Sequence, residues 1–468
     1  MATMQGRTFE QISLGESATL ARTLTMADIE LFAVMSGDVN PWHLDEAAAR
    51  QCGFDRIAGH SQWGAALLST LIGTKLPGPG SRYVEQNLRF HKAVHPGDTV
   101  RASVAVREKR EADHTLVLDC RCLDDHDEVI LEGSAVVTAP AQPLSLDVPE
   151  TPEVTFRRHD RFNTLIARTR PLDAITCAVA WPCDGDALMG PLAAARENII
   201  EPILVGDEAL IRAAAEKQGE SLEGCRIVHC PNPVASAAQC VEFVRQGQAQ
   251  SLMKGSLHTD ELMSAVVSKT TGIRTARRIS HVFAMDVPAY DRALFITDAA
   301  INIAPTLADK RDIIQNAIDL VIALGLTQPR VALLSAVETI NEKMPSTIES
   351  AALCKMAERG QIKGAILDGP LAFDNAISEQ AARIKKIVSP VAGHADILVV
   401  PDLESGNMLV KQLSYFAGAD GGGIVLGARV PIILTSRADS VRARVASAAI
   451  AQLFVHAQRH AAPHVAGA

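Results

Sequence analysis

Two side chains in the stretch Ser36-Gly37-Asp38-Val39-Asn40-Pro41-Trp42-His43-Leu44-Asp45 have the types needed to move a proton, the carboxylate of Asp38 and the imidazole of His43. Such a pair can hold a water molecule and take its proton near neutral pH. Taken alone, a carboxylate and an imidazole five positions apart in a polar loop fit surface solvation equally well. A helix opening at Thr25, with Asp28 three residues on as capping partner, ends near Gly37 and leaves both groups on the loop that follows. Asn40-Pro41 opposes further helix and turns the chain, so that Asp38 and His43 can face one another.

A second set of residues suits an oxyanion. Lys254-Gly255-Ser256-Leu257-His258-Thr259 joins an apolar run to a helix, a common place for phosphate. Asp368–Ala376, with Asp374 and Asn375, follows one apolar run, and Pro401–Asn407, with Gly406 and Asn407, follows another. In Gly427–Ser440, Ser436 and Arg437 fall just past the apolar Ile432–Leu434, where a guanidinium fork matches two phosphate oxygens. Each segment by itself also fits an ordinary turn or helix cap, since Gly, Asp and Asn are common there.

The elements that must position these groups divide the chain. From Ser61 to Lys75, Trp63, Ala66, Leu67, Thr70 and Leu71 recur at helical spacing up to Pro77-Gly78-Pro79-Gly80, a helix apolar enough to be enclosed. Val100, Ala102, Val104 and Val106 then alternate, as do Leu116, Leu118, Cys120 and Cys122, which predicts an antiparallel sheet around one helix, an α+β unit. A proline-rich stretch follows, placing a unit at 1–140, a linker at 141–157 and a second unit at 158–468. Beyond it, runs such as Ile203–Val205, Val331–Leu334 and Ile397–Val400 alternate with helices, which predicts an α/β unit with a mostly parallel sheet and ligands at strand C-termini.

Of 468 residues, 47% are hydrophobic and 21% charged, so several packed cores are expected. A net charge of −9 argues against a nucleic-acid or anionic-membrane partner, and the absence of an 18-residue apolar run predicts a cytoplasmic protein. Nine cysteines without a C-x-x-C pair give no pattern for zinc, and no metal site is expected.

SGDxNPxHxD, followed by the apolar helix and then Phe90, His91 and Pro96-Gly97-Asp98, resembles the MaoC-like (R)-specific enoyl-CoA hydratases over residues 8–138. That resemblance implies a hotdog fold in which Asp38 and His43 activate water, Asn40, His60 and Ser61 meet the substrate, and the oxyanion sits near Gly59-His60-Ser61. The family usually has His-Gly-Met where this chain has His60-Ser61-Gln62.

The four later segments resemble the phosphate acetyltransferase and butyryltransferase family over about 162–460, with Lys-Gly-x-Leu-His-Thr and the Leu434–Ser440 ending closer to the butyryltransferases. This implies a two-part α/β subunit related to isocitrate and isopropylmalate dehydrogenases, and a homo-oligomer, dimer or higher. Arg437 would hold the phosphoryl group with Ser436 beside it, and Lys254, His258, Thr259, Asp374, Asn375, Gly406 and Asn407 would contact substrate. Coenzyme A thioesters and phosphate enter as substrates, with no tightly bound cofactor. Ala443 and Met263 stand where the family's acetyltransferases carry an Asp and an Arg, so the alternative is a hydratase fused to an acyl-CoA-binding or scaffold module.

Overall fold

The computed structural model describes residues 3–150, 160–435 and 439–461. The chain separates into two compact units, Met1–Phe156 and Arg157–Ala468.

In the first unit five antiparallel strands lie in the order Ser17–Thr23, Thr99–Arg110, Thr115–Leu123, Val129–Thr138 and Arg82–Phe90. The alternation read from the sequence sets the register. Val104 pairs with Cys120 and Ala102 with Cys122, which turns all four inward. They pack on the helix Gln62–Thr74 through Leu67, Leu68, Leu71 and Ile72. This helix is not enclosed as expected. Gln62, Ala66, Ser69 and Gly73 form an exposed stripe, because a single curved sheet covers only one side of a cylinder. Leu144–Asp147, placed in the linker by its prolines, is a strand paired with Thr3–Gly6. Its alternation Leu144, Leu146 between Pro143 and Pro149 is the signal that the proline count obscured.

Among the described residues, the second unit is built on an eleven-stranded sheet. Arg226–His229, Ile200–Gly206, Ile175–Ala180, Ser251–Lys254 and Ile432–Ile433 run parallel as one half. Leu294–Thr297, Ile397–Val399, Arg330–Leu334 and Ile366–Leu371 run parallel as the other. Ser280–Asp286 and Asp420–Leu426, antiparallel to each other, join the halves. These two strands carry the chain out of the first half and back to it. The core is aliphatic, with Leu204, Val282, Ile318 and Ile424 fully buried. Among the described residues, no helix is long and apolar enough to cross a membrane.

Candidate active sites

In the first unit the Met26–Ser36 helix is fixed at its start by a reciprocal cap, Asp28 N–H to Thr25 Oγ1 (3.1 Å) and Thr25 N–H to Asp28 Oδ2 (3.0 Å). It ends at Gly37 with φ 76°, a conformation glycine adopts without cost, and Asp38 leaves at the turn. Pro41 opens a short 3-10 turn that carries His43 into the interior, 4% exposed, while the Asp38 carboxylate stays 53% exposed.

His43 Nδ1 lies 2.7 Å from the Ala58 carbonyl. A carbonyl only accepts, so that nitrogen carries the proton and Nε2 presents a lone pair. His60 Nε2 donates in the same way to the Asp38 carbonyl at 2.9 Å, and its buried Nδ1 has no partner among the described residues. The His43 ring stacks on His60 (3.8 Å) and meets Trp42 at a tilt (3.7 Å), and Phe32 stacks on His60 (4.7 Å). Asp38, His43 and His60 bring ligand atoms within 4.8 Å of one another. However, the two imidazoles lie face to face with planes 25° apart, so their in-plane lone pairs run side by side rather than converging on an ion.

Asp38 Oδ2 is 3.9 Å from His43 Nε2, too far for a direct hydrogen bond. Two acceptors at this spacing can each receive one hydrogen of the same water, whose lone pair then faces outward. Burial is the largest influence on His43, holding its pKa below the ordinary 6.5; the neighbouring His60 adds to this, while Ala58 and Asp38 oppose it. Neutral imidazole is the form that accepts a proton. Water addition catalysed here should therefore keep its kcat/KM down to pH 6.5 and lose it only below; a pH profile whose acid limb is centred above 6.5 would contradict His43 as the base.

Ser61 opens the Gln62–Thr74 helix at φ −55°, an ordinary helical angle that strains no side chain. The amides of Ser61 and Gln62 make no hydrogen bond among the described residues and stand at the positive end of the helix, suited to an oxyanion. The Gly59 amide is already used by the Val94 carbonyl (2.7 Å), and its missing Cβ makes room for Leu24. Of the amides from Gly59 to Ser61, that of Gly59 is therefore not available to a ligand. Asn40 is exposed, its amide 3.4 Å from Asp38 Oδ1.

In the second unit parallel register does the positioning. Leu252 pairs with Ile432 and Met253 with Ile433, so Lys254 and the Leu434-Thr435 end arrive at the same sheet edge. They line a cavity of about 350 Å³ with Leu257, His258, Thr259 and Phe283. Lys254 is only 7% exposed. Ser436 and Arg437, expected as catalytic residues, lie outside the described residues and follow Thr435 directly in the chain. Gly255 is required for a reason the sequence does not show: a Cβ there would lie 2.4 Å from the Ala180 carbonyl oxygen and 2.6 Å from that of Trp181. Gly255→Ala is expected to cost about 3 kcal/mol and to lower the calorimetric melting temperature of this unit by several degrees; an unchanged transition would show that the turn can relax.

The other expected contacts do not share this cavity. Asp374 pairs with Lys385 at 3.5 Å, and Asn375 is fully buried, facing Glu338 at 3.4 Å. Gly406 packs on Ala299, where a Cβ would come within 2.9 Å, and Asn407 donates to the Ala299 carbonyl at 3.2 Å. These residues fasten their own half of the sheet. In the sheet order six strands lie between Ser251–Lys254 and Ile366–Leu371, the strand that leads to Asp374 and Asn375.

Two features were missed from sequence. His281 is fully buried, with Nε2 3.3 Å from the carbonyl of the cavity-lining Leu434 and Nδ1 without a partner among the described residues; burial depresses its pKa, opposed by Asp298. The buried Asp298 accepts from the amides of Ala300 and Ile301 (3.0 Å each) and Asn302 (3.2 Å), tying the loop into a rigid turn. The Asp298/Asn302 spacing after an apolar run was the available signal. Of the two departures, Ala443 is buried in the Val441–Ala461 helix, and Met263 lines a neighbouring cleft.

Residues 11–121 match the MaoC like domain, and residues 233–452 match the Phosphate acetyl/butaryl transferase family. The chain is 60% identical over 302 residues to a phosphate acetyltransferase of Rhizobium meliloti, covering 64% of this chain and 95% of that protein. To a phosphate butyryltransferase of Clostridium acetobutylicum it is 41% identical over 292 residues, covering 62% and 97%. Overall identity to these two therefore runs opposite to the motif-level likeness to butyryltransferases. A branched-chain phosphotransacylase from Enterococcus faecalis V583 is similar in structure, with TM-score 0.53 and 34% identity over 60% of this chain and 99% of that one. The chain belongs to the phosphate acetyl/butyryltransferase family through its second unit and carries a MaoC-like domain ahead of it.

Proposed function

We propose that the first unit adds water to short-chain 2-enoyl-CoA with (R)-specificity and that the second exchanges acyl groups between coenzyme A and phosphate. The observation that carries the reading is the pairing of Asp38 with His43 in one unit and of Lys254 with the Thr435 strand end in the other. Val34, Met35 and Val39, each more than 60% exposed, give the Asp38 site apolar surface for an acyl chain.

In hydration, water held by Asp38 and His43 gives a proton to one of them as its oxygen bonds to C3. The thioester oxygen takes up negative charge at the Ser61 and Gln62 amides, and the α-carbon then receives the proton. In acyl transfer, a phosphate oxygen attacks the thioester carbonyl, the tetrahedral oxyanion collapses, the C–S bond breaks and the thiolate leaves to be protonated. Arg437 holds the phosphoryl group beside Ser436, while Lys254, with His258 and Thr259 around it, stabilises the charge that appears on oxygen and sulfur.

Two parallel half-sheets joined by an antiparallel pair support reading the second unit as related in fold to isocitrate and isopropylmalate dehydrogenases. The exposed stripe Gln62, Ala66, Ser69 and Gly73 and the edge strand with exposed Tyr83, Val84 and Phe90 support a homo-oligomer; sedimentation at the monomer mass at micromolar concentration would rule that out. The test of activity is one preparation assayed with crotonyl-CoA for hydration and with butyryl-CoA plus phosphate for free thiol. If thiol release does not depend on phosphate, the acyl-CoA-binding reading of the second unit replaces this one.

A further inference from the structure

The cavity at Lys254 shares the lining residue Thr259 with a larger cleft of about 790 Å³ in the same unit. Three arginines line that cleft, and the structure separates them. Arg277 is ion-paired with Asp319. Arg278 pairs with Asp309 at 3.6 Å and donates to Asn302 Oδ1 at 2.6 Å. Arg274 has no hydrogen-bond or ion-pair partner for its guanidinium among the described residues.

Its backbone, by contrast, is held firmly. Arg274 forms a β-bridge with Ala428, the Arg429 amide donates to Ile273 at 2.9 Å, and Thr275 Oγ1 donates to the Gly427 carbonyl at 2.6 Å. A charged side chain on a fixed backbone with no internal partner is preorganised for an external anion. The cleft's carboxylates are mostly committed, Asp309 to Arg278 and Asp312 to Arg311 at 2.8 Å. Asp260, exposed in the first turn of the Thr259–Val267 helix, is the remaining one and sits where the helix dipole offsets its charge. Met263 and Val267 supply an apolar wall.

A small chamber at Lys254, adjoined at Thr259 by a larger cleft with an apolar wall and one uncommitted guanidinium, matches a thioester on an uncharged arm ending in phosphates. We propose that Arg274 is the residue that binds the phosphate groups of the coenzyme A moiety in the acyl-transfer site. This rests on the acyltransferase reading of the second unit.

The test uses the full chain with butyryl-CoA and inorganic phosphate. Arg274→Gln should raise the KM for butyryl-CoA about ten- to a hundredfold, the loss of a charge-assisted contact. The KM for phosphate and the kcat should stay within about twofold, and Arg274→Lys should recover part of the loss. With 3′-dephospho-butyryl-CoA the gap between wild type and Arg274→Gln should shrink if the 3′-phosphate is the group held, and persist if the diphosphate is. An unchanged KM for butyryl-CoA, or a rise confined to inorganic phosphate, overturns the assignment. Calorimetric titration with free coenzyme A separates the two readings. If wild type released no thiol, acyl transfer would fail, yet weaker binding by Arg274→Gln would still uphold the phosphate site and equal binding would end it.

Discussion

Asp38→Asn is expected to lower kcat for crotonyl-CoA hydration by about a thousandfold, within the range that general acid–base groups contribute. The amide is the same size and keeps an oxygen for the Asn40 amide, 3.4 Å from Oδ1, so the loop should hold. What is lost is the second proton acceptor. His43 Nε2 stands 3.9 Å away with its lone pair free, and without a carboxylate opposite, the water is held from one side and any proton taken up has no charged partner. Phosphate-dependent thiol release by the same preparation should be unchanged within about twofold. A residual hydration rate within tenfold of wild type would mean that Asp38 only solvates the loop. Equal loss of both activities would mean that the two units do not work as separate sites.

Lys254→Met is expected to reduce phosphate-dependent thiol release by about two to three orders of magnitude, the scale seen when a fixed stabiliser of developing charge is removed. Methionine nearly fills the volume of the buried lysine stem, and Gly255, with its close approach to Ala180 and Trp181, is untouched. The apolar lining of Leu257, Phe283 and Leu434 is preserved, so the change is one of charge rather than shape. Hydration should continue at the wild-type rate. A loss of less than tenfold would assign the chemistry to Arg437 and leave Lys254 a packing role.

What was legible in the sequence was mostly local. The Thr25/Asp28 cap, the stop at Gly37 and the Pro41 turn are set by residues a few positions apart, and together they bring Asp38 to His43. The inward rows Val100–Val106 and Leu116–Cys122 were legible because a period of two fixes the buried face of a strand. Non-local features were not. His281 reads as one polar residue in an apolar run, and only the neighbouring strands place it under the Leu434 carbonyl. Asp374, Asn375, Gly406 and Asn407 have the composition of a ligand loop, yet they follow strands of the other half of the sheet from Lys254, where Asn407 donates to the Ala299 carbonyl. Strand order in a wide sheet is decided by which strands pair, and no run of residues encodes that by itself.

The crossing strands Ser280–Asp286 and Asp420–Leu426 also bear on how the protein is made. Lys254 is synthesised about 180 residues before its neighbour Thr435, because the whole second half-sheet is inserted between them. At 5–20 residues per second the ribosome needs roughly ten to forty seconds to cover that interval. During it, the edge of Ser251–Lys254 that will pair with Ile432–Ile433 is open, a run of buried apolar backbone without its partner. The far half-sheet, from Leu294 to Val399, is contiguous in the chain and can form first. Nascent chains halted before residue 432 should therefore be the species that chaperones hold, and the acyl-transfer edge is among the last parts of the molecule to exist.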